Sequence, residues 1–260
     1  MSEEDSTRPT TGETTPSAPA PTPLTDEITP WMHGLAWLTR VGLAGLTRVR
    51  LEGALDAIPK DGPIILAANH ASNLDPVVMA AVVLPKVGRR FQWLGKKELF
   101  GWPVVGWVAR NGGVHPVDRG AADVEAFRLA KRILDEGHIL FVFPEGTRSA
   151  DGKLQEARDG TAVLALRTDA PILPVGIAGS HGVWPRGQKL PHPGGRVAIR
   201  VGTAFRLSEV LPEGTDRRAA KGLATTHIMR RIAALLPPEQ RGPYADADVQ
   251  AIRPPAPPER

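Results

Sequence analysis

Apolar and polar positions divide the chain into three stretches. From Met1 to Pro23 apolar residues are sparse and five prolines interrupt them. Pro237 to Arg260 holds seven more, including Pro254-Pro255 and Pro257-Pro258. Such segments bury too little surface to offset their ordering entropy. Residues 1–27 and 237–260 are therefore expected to be disordered tails, and 28–236 the folded body. Residues 31–48 read as an amphipathic helix. His33, Arg40 and Thr47 recur every seven positions as a polar stripe, with Trp31, Leu35, Leu38 and Leu46 mostly elsewhere on the wheel. Two readings stay open. The helix packs on the core, or it lies in a bilayer surface with tryptophans at headgroup depth and Arg40 and Arg48 near lipid phosphates.

Beyond this helix the pattern alternates between periods of two and 3.6. Val49–Glu52, Ile64–Ala68, Phe91–Leu94, Ile172–Ile177 and Val197–Val201 read as strands. Ile139–Phe143 is continuously apolar, as expected of a strand covered on both faces. Pro76–Leu84 reads as a helix with proline in its first turn, where a missing N–H costs nothing. Asp123–Glu136 places Val124, Phe127, Ala130 and Leu134 on one face and stops at Gly137. Asp159–Thr168 and Asp216–Leu235 complete the helices. Gly101-Trp102-Pro103-Val104-Val105-Gly106-Trp107 is apolar and reads as core, with the wall of an apolar tunnel as the alternative. The alternation predicts an α/β fold: one domain with a central, mostly parallel or mixed sheet flanked by helices. No internal repeat is visible.

Composition narrows the chemistry. The 260 residues are 42% apolar, enough for one sizeable core, and contain no cysteine. Disulfides, thiolate nucleophiles and cysteine-bound metals are excluded. Residues 1–27 hold six acids and one base, a net of −5; the whole chain is +4, so the remainder carries +9. A basic body suits an anionic membrane or an anionic substrate. Nucleic acid is not expected as a partner, because there is one tyrosine and no recognisable binding module. The acidic N-terminus does not read as a secretory signal. The apolar stretch Trp31–Leu46 is interrupted by His33, Thr39 and Arg40 and is shorter than the roughly 20 residues of a membrane span.

Two turns carry the candidate chemistry. Asn69-His70-Ala71-Ser72-Asn73-Leu74-Asp75 follows an apolar strand, so His70 sits where open α/β sheets place their ligands. Histidine moves protons near neutral pH, and a carboxylate on one ring nitrogen fixes its tautomer. Asp75 could fold back on His70, or act as the N-cap of the next helix. Phe143-Pro144-Glu145-Gly146-Thr147-Arg148-Ser149 follows a second apolar strand. Its guanidinium suits phosphate oxygens, and its glycine lets backbone approach a ligand. A Glu145–Arg148 pair fastening the loop is the structural alternative. His115, His138, His192 and His227 show no metal-ligand spacing, and no metal site is expected. A serine or metal hydrolase would need a nucleophile elbow or a metal cluster, and neither is visible.

These blocks resemble the lysophospholipid and glycerolipid acyltransferase family. Asn69-His70-x4-Asp75 is similar to its first block. Lys96–Pro103 through Gly112–Arg119 is similar to the second, Phe143–Ser149 matches the third, and Ala170–Ile177 resembles the fourth. The resemblance spans 69–177 and implies direct acyl transfer from a thioester to a hydroxyl. By that resemblance His70 is the base and Asp75 its orienter. Arg119, Glu145, Gly146, Thr147 and Arg148 bind the acceptor, with the arginines on its phosphate. Asn69, Ser149 and Pro174 support the site, and Ser149 joins Thr147 as a source of further hydrogen bonds. Backbone N–H groups near Gly146 or His70 are candidate oxyanion donors. No cofactor is implied, only acyl-CoA or acyl carrier protein as co-substrate. The implied acceptor is 1-acyl-glycerol-3-phosphate, the implied product phosphatidic acid, and the implied location the cytoplasmic face of the cell membrane, peripherally held. Another lysophospholipid or hydroxylated lipid is the alternative acceptor, and a non-catalytic lipid-binding protein the rival class. Ser180-His181-Gly182 lies after the fourth block and resembles a family loop, which reads His181 as structural or at the site rim. One departure stands out. Where the family often has Lys-Gly-Ala, this chain has Arg158-Asp159-Gly160-Thr161, putting an acid near the phosphate site, with Lys153 or Arg158 as compensating charges.

Overall fold

The computed structural model describes residues 23–53, 55, 58–117, 123–212 and 214–246. Seven strands form one mixed sheet: β1 (Thr47–Gly53), β2 (Ile64–Ala68), β3 (Phe91–Lys96), β4 (Val114–Val117), β5 (Ile139–Val142), β6 (Ile172–Ala178) and β7 (Gly195–Val201). Their order is β1-β7-β6-β2-β5-β3-β4. All neighbours are parallel except β6 and β7. The helices are α1 (Pro30–Leu46), α2 (Asp75–Val78), α3 (Leu84–Val87), α4 (Pro103–Asn111), α5 (Asp123–Asp135), α6 (Gly160–Thr168), α7 (Ser180–Val183), α8 (Leu207–Val210) and α9 (Arg217–Ala234). A π-helical stretch, Met79–Val83, joins α2 to α3.

The alternation of side chains along a strand builds two cores, one on each side of the sheet. In β2, Ile64, Leu66 and Ala68 face a core shared with α1 and the 75–87 helical run. Ile65 and Ala67 face a second core shared with α5, α6 and α9. All five residues of β2 and all seven of β6 are buried. Each fully buried Ile or Leu contributes about 1.5–3 kcal/mol. Gly176 of β6 makes room for the end of α9; a Cβ there would lie 2.6 Å from that of Leu235.

The mixed α/β sheet expected from the alternation is what the chain forms. Helix α4 and strand β4 were not foreseen. The 101–107 segment is a correction. It is largely surface rather than core, with Trp102 63%, Val104 75% and Trp107 52% exposed. Helix α1 packs on the core through one face, as the first reading expected. Met32, Ala36 and Leu43 are buried against the sheet, while Trp37 and Leu38 are each 60% exposed. Thr47, expected on the polar stripe, is instead buried at the start of β1 and donates to the Gly195 carbonyl at 2.7 Å.

The folded body also extends beyond its expected limits of 28 and 236. Asp26 pairs with Arg89 at 2.7 Å and with His138 at 2.7 Å, and Arg89 also donates to the Gly62 and Gly137 carbonyls. At the other end, 3-10 turns at Pro238–Gln240 and Gly242–Tyr244 dock on the body. Leu154 N donates to the Gln240 carbonyl at 2.8 Å, and Arg241 Nε to the Leu236 carbonyl at 3.1 Å. Specific ionic and backbone partners order segments that composition alone assigns to tails.

Candidate active site

The neighbouring strands β6, β2 and β5 end on the same edge of the sheet, and the residues that follow them converge there. Beyond β2, Asn69 continues the sheet with its side chain. Its amide donates to the Ile177 carbonyl at 2.9 Å and accepts from Ile177 N at 2.7 Å. This two-way pairing fixes where the next residue, His70, leaves the sheet.

His70 Nδ1 lies 2.9 Å from Asp75 Oδ2. The same oxygen accepts from Ala71 N and Ser72 N, each at 2.7 Å. Asp75 is fully buried and does not act as the N-cap; Leu74 holds that position. Its carboxylate instead closes the six-residue turn from His70 to Asp75 back onto the imidazole. Because a carboxylate can only accept, Nδ1 carries the proton and Nε2 presents a lone pair. The ring stacks on Phe143, with centroids 3.8 Å apart at 10°.

Glu145 ties this turn to the one after β5. It is 3% exposed; Oε1 accepts from His70 N at 2.6 Å, and Oε2 from Gln155 N at 2.9 Å and Gln155 Nε2 at 3.2 Å. Burial pushes its carboxyl up to about 7, against those N–H donors, which pull the other way. Both carboxylate oxygens thus accept from the protein itself, and Glu145 positions the histidine turn. Ser149 N adds a 2.8 Å bond to the His70 carbonyl, while Ser149 Oγ is turned to Asp151 at 2.9 Å. The hydroxyl expected to serve an acceptor is thus spent inside the loop.

Gly146 needs its glycine. Its φ is 69°, and a Cβ there would meet Arg158 Cδ and Nε at 3.1 Å. Arg158 therefore lies against the turn that carries Thr147 and Arg148. Asp159, which the sequence placed near the phosphate site, is drawn to α9. It pairs with Lys221 at 2.7 Å and accepts from Thr225 Oγ1 at 3.0 Å, and Lys221 holds its carboxyl below the usual range. The charge that the sequence placed near the phosphate site is thus paired with Lys221 rather than with Lys153 or Arg158.

Pro174 sits within β6 beside Ala67, and pairing with β7 begins one residue later at Val175. It supports the strand and stops short of the site edge. Arg119 falls outside the described residues. His181 Nδ1 lies 3.1 Å from the Ala71 carbonyl, one residue beyond His70. Several of the candidate oxyanion donors are already engaged. His70 N serves Glu145, Ala71 N and Ser72 N serve Asp75, and Gly146 N serves the Phe143 carbonyl at 2.9 Å. Sequence reasoning also missed Gln155 and the stacking partner Phe143. Gln155 is one polar residue in a polar loop, and no local pattern marks it.

Fold and site together define a three-layer α/β protein that presents an imidazole–carboxylate pair and a cationic glycine turn on one edge of its sheet. A family model described as Acyltransferase matches residues 48–178, half of the chain, and the chain belongs to that family. It is 30% identical over 180 residues to the chloroplastic 1-acyl-sn-glycerol-3-phosphate acyltransferase of Arabidopsis thaliana, covering 68% of this chain and 49% of that one. The chain thus spans about half the length of this plant relative. A 1-acyl-sn-glycerol-3-phosphate acyltransferase of Pseudomonas aeruginosa is 27% identical over 226 residues, covering 84% of this chain and 81% of the relative. A lyso-ornithine lipid O-acyltransferase of the same organism is 31% identical over 159 residues, covering 60% and 55%. Among solved structures, the 1-acyl-sn-glycerophosphate acyltransferase PlsC of Thermotoga maritima superposes with a TM-score of 0.62 at 25% identity, covering 78% of this chain and 79% of that one.

Proposed function

We propose that the protein transfers an acyl group from a thioester, acyl-CoA or acyl carrier protein, to the free hydroxyl of a 1-acyl-glycerol-3-phosphate, forming phosphatidic acid. The observation that carries this reading is the dyad. His70 Nδ1 is held on Asp75 and the other ring nitrogen is available as a base, beside a turn bearing Arg148. The acceptor hydroxyl oxygen bonds to the thioester carbonyl carbon and gives its proton to Nε2. The imidazolium formed is stabilised by Asp75. When the tetrahedral species collapses, the C–S bond breaks and the leaving thiolate takes that proton. Arg148, with Arg119 and Thr147, binds the acceptor phosphate, while Glu145, Ser149, Asn69 and Pro174 hold the two turns in register. The test is direct: labelled acyl-CoA or acyl-carrier-protein thioester is supplied with lysophosphatidic acid, and labelled phosphatidic acid is expected. Absence of product with every donor refutes the reading. The similarity to a lyso-ornithine lipid acyltransferase supports a second acceptor, and product from a lyso-ornithine lipid but none from lysophosphatidic acid would favour it.

The same proposal places the protein on a membrane surface. No helix among the described residues is long and apolar enough to cross a bilayer. Instead, exposed apolar side chains of α1 (Leu35, Trp37, Leu38, Val41) and α4 (Val104, Val105, Trp107) lie on two helices in contact, with Trp31 and Trp107 centroids 5.0 Å apart. Clustered exposed tryptophans and aliphatics suit the headgroup boundary of a lipid layer. The double variant Trp37→Ser, Leu38→Ser, which leaves the buried face of α1 intact, is expected to stop flotation with anionic liposomes. Flotation equal to wild type would refute the membrane assignment.

A further inference from the structure

Arg186 is an exposed arginine in a segment that the chemistry above leaves unused. Its loop, 184–194, contains Arg186, Lys189 and His192 and no acid. The loop is fixed to the histidine turn. Ser72 Oγ donates to the Trp184 carbonyl at 2.6 Å, Asn73 N to the same carbonyl at 3.0 Å, and Asn73 Nδ2 to the Pro185 carbonyl at 3.2 Å. Trp184 Nε1 closes the loop on the Gln188 carbonyl at 3.0 Å. Ser72 and Asn73 lie two and three residues beyond His70, so the Arg186 backbone is placed relative to the base.

The side chain then reaches the other turn. Arg186 Nη1 donates to the Arg148 carbonyl at 3.3 Å. Among the described residues it forms no ion pair, and Nε and Nη2 make no hydrogen bond to protein. Asp151, three residues beyond Arg148, has its carboxylate engaged by Ser149 Oγ and Lys153 N. One long bond from an exposed arginine contributes little to stability. What the contact does is bring an unneutralised guanidinium, with donors to spare, onto the turn that carries Arg148.

We propose that Arg186 is a further acceptor-binding residue, a guanidinium set on the backbone of the turn that carries Arg148 so that the site favours a dianionic phosphomonoester over a phosphodiester or zwitterionic head group. This rests on the proposed reading of Arg148 as a phosphate contact. A terminal phosphate offers three oxygens and close to two charges near neutral pH, enough for two planar forks. A phosphodiester has one charge and fewer free oxygens. Holding the loop on Ser72 and Asn73 lowers the ordering cost of binding.

Binding of lysophosphatidic acid in neutral detergent micelles tests this without requiring turnover, with lysophosphatidylcholine micelles as the reference. Arg186→Met is expected to weaken lysophosphatidic acid binding about tenfold, the loss of one charge-assisted hydrogen-bonded contact, and to leave lysophosphatidylcholine binding within about twofold. Arg186→Lys, which keeps the charge but not the fork, is expected to recover part of the loss. An unchanged Kd in Arg186→Met, an equal loss for both lipids, or no recovery in Arg186→Lys overturns the proposal. Wild type that binds lysophosphatidic acid selectively but makes no phosphatidic acid would instead count against the reaction proposed above.

Discussion

His70→Ala is expected to lower acyl transfer by about 10²–10⁴-fold, the usual contribution of a positioned general base. The loss should appear in kcat at saturating donor and acceptor. The side chain is 16% exposed, and its own bonds run to Asp75 Oδ2 and to the face of Phe143. The two backbone bonds to Asp75 from Ala71 and Ser72 and the bond from His70 N to Glu145 do not depend on the imidazole. The turn should therefore persist, and the melting temperature should move little. Labelled phosphatidic acid measured beside thermal unfolding separates the two effects. Undiminished product would remove His70 from the chemistry, whereas a collapse of both activity and melting temperature would make it a structural residue.

Asp75→Asn is expected to cost a similar factor in kcat for a different reason. With the amide oxygen in the Oδ2 position, all three N–H donors keep an acceptor, so the geometry survives while the negative charge facing the imidazolium is lost. The amide nitrogen then takes the place of Oδ1, which is buried and has no hydrogen-bond partner among the described residues. A buried unsatisfied donor costs about 1–3 kcal/mol, so melting should also fall by several degrees. The pairing of a large kinetic loss with a modest thermal one marks a residue that orients and charges a base. Activity within about twofold of wild type would show that the Asp75 charge does not matter, contrary to the usual role of such a carboxylate.

Both predictions treat the site as two turns held in register by buried bonds, and the roles of Glu145 and Arg186 follow from the same picture. Glu145 spans the turns from within, accepting from His70 N on one and from Gln155 on the segment beyond the other. Arg186 spans them from the surface, with the preceding Trp184 and Pro185 carbonyls held by Ser72 and Asn73 and its tip on the Arg148 carbonyl. A carboxylate in the third block reads from sequence as a ligand contact. Only the fold reveals that its two oxygens are consumed by the protein.

Much of the architecture is written in local periodicity. Ile64–Ala68 and Ile139–Val142 are apolar runs of four or five residues, and strands covered on both faces are built from such runs. Amphipathic helices over 123–135 and 217–234 follow from their spacing, with Asp216 capping the latter through Arg218 N and Ala219 N. Segments set by long-range partners were not legible. Asp26 gains its place from Arg89 and His138, more than sixty residues away. The 238–244 turns are held by Leu154 and Leu236. Helix α4 was read as core because its residues are apolar, yet composition does not say which apolar surface a chain covers and which it leaves open.

By itself the sequence determined that this is an α/β chain whose strands end in a histidine–aspartate turn and an arginine-bearing glycine turn, and its motifs marked the family. These properties depend on residue type and on spacing over a few positions, which a linear text records in full. The tertiary structure alone decided which atoms remain available. It turned Asp159 onto Lys221, engaged the backbone N–H groups of His70, Ala71, Ser72 and Gly146, buried Glu145 between the turns and brought the Arg186 tip onto the Arg148 carbonyl. Hydrogen-bond capacity is finite and is allotted by contacts across many tens of residues, so only the folded chain fixes what is left for a substrate.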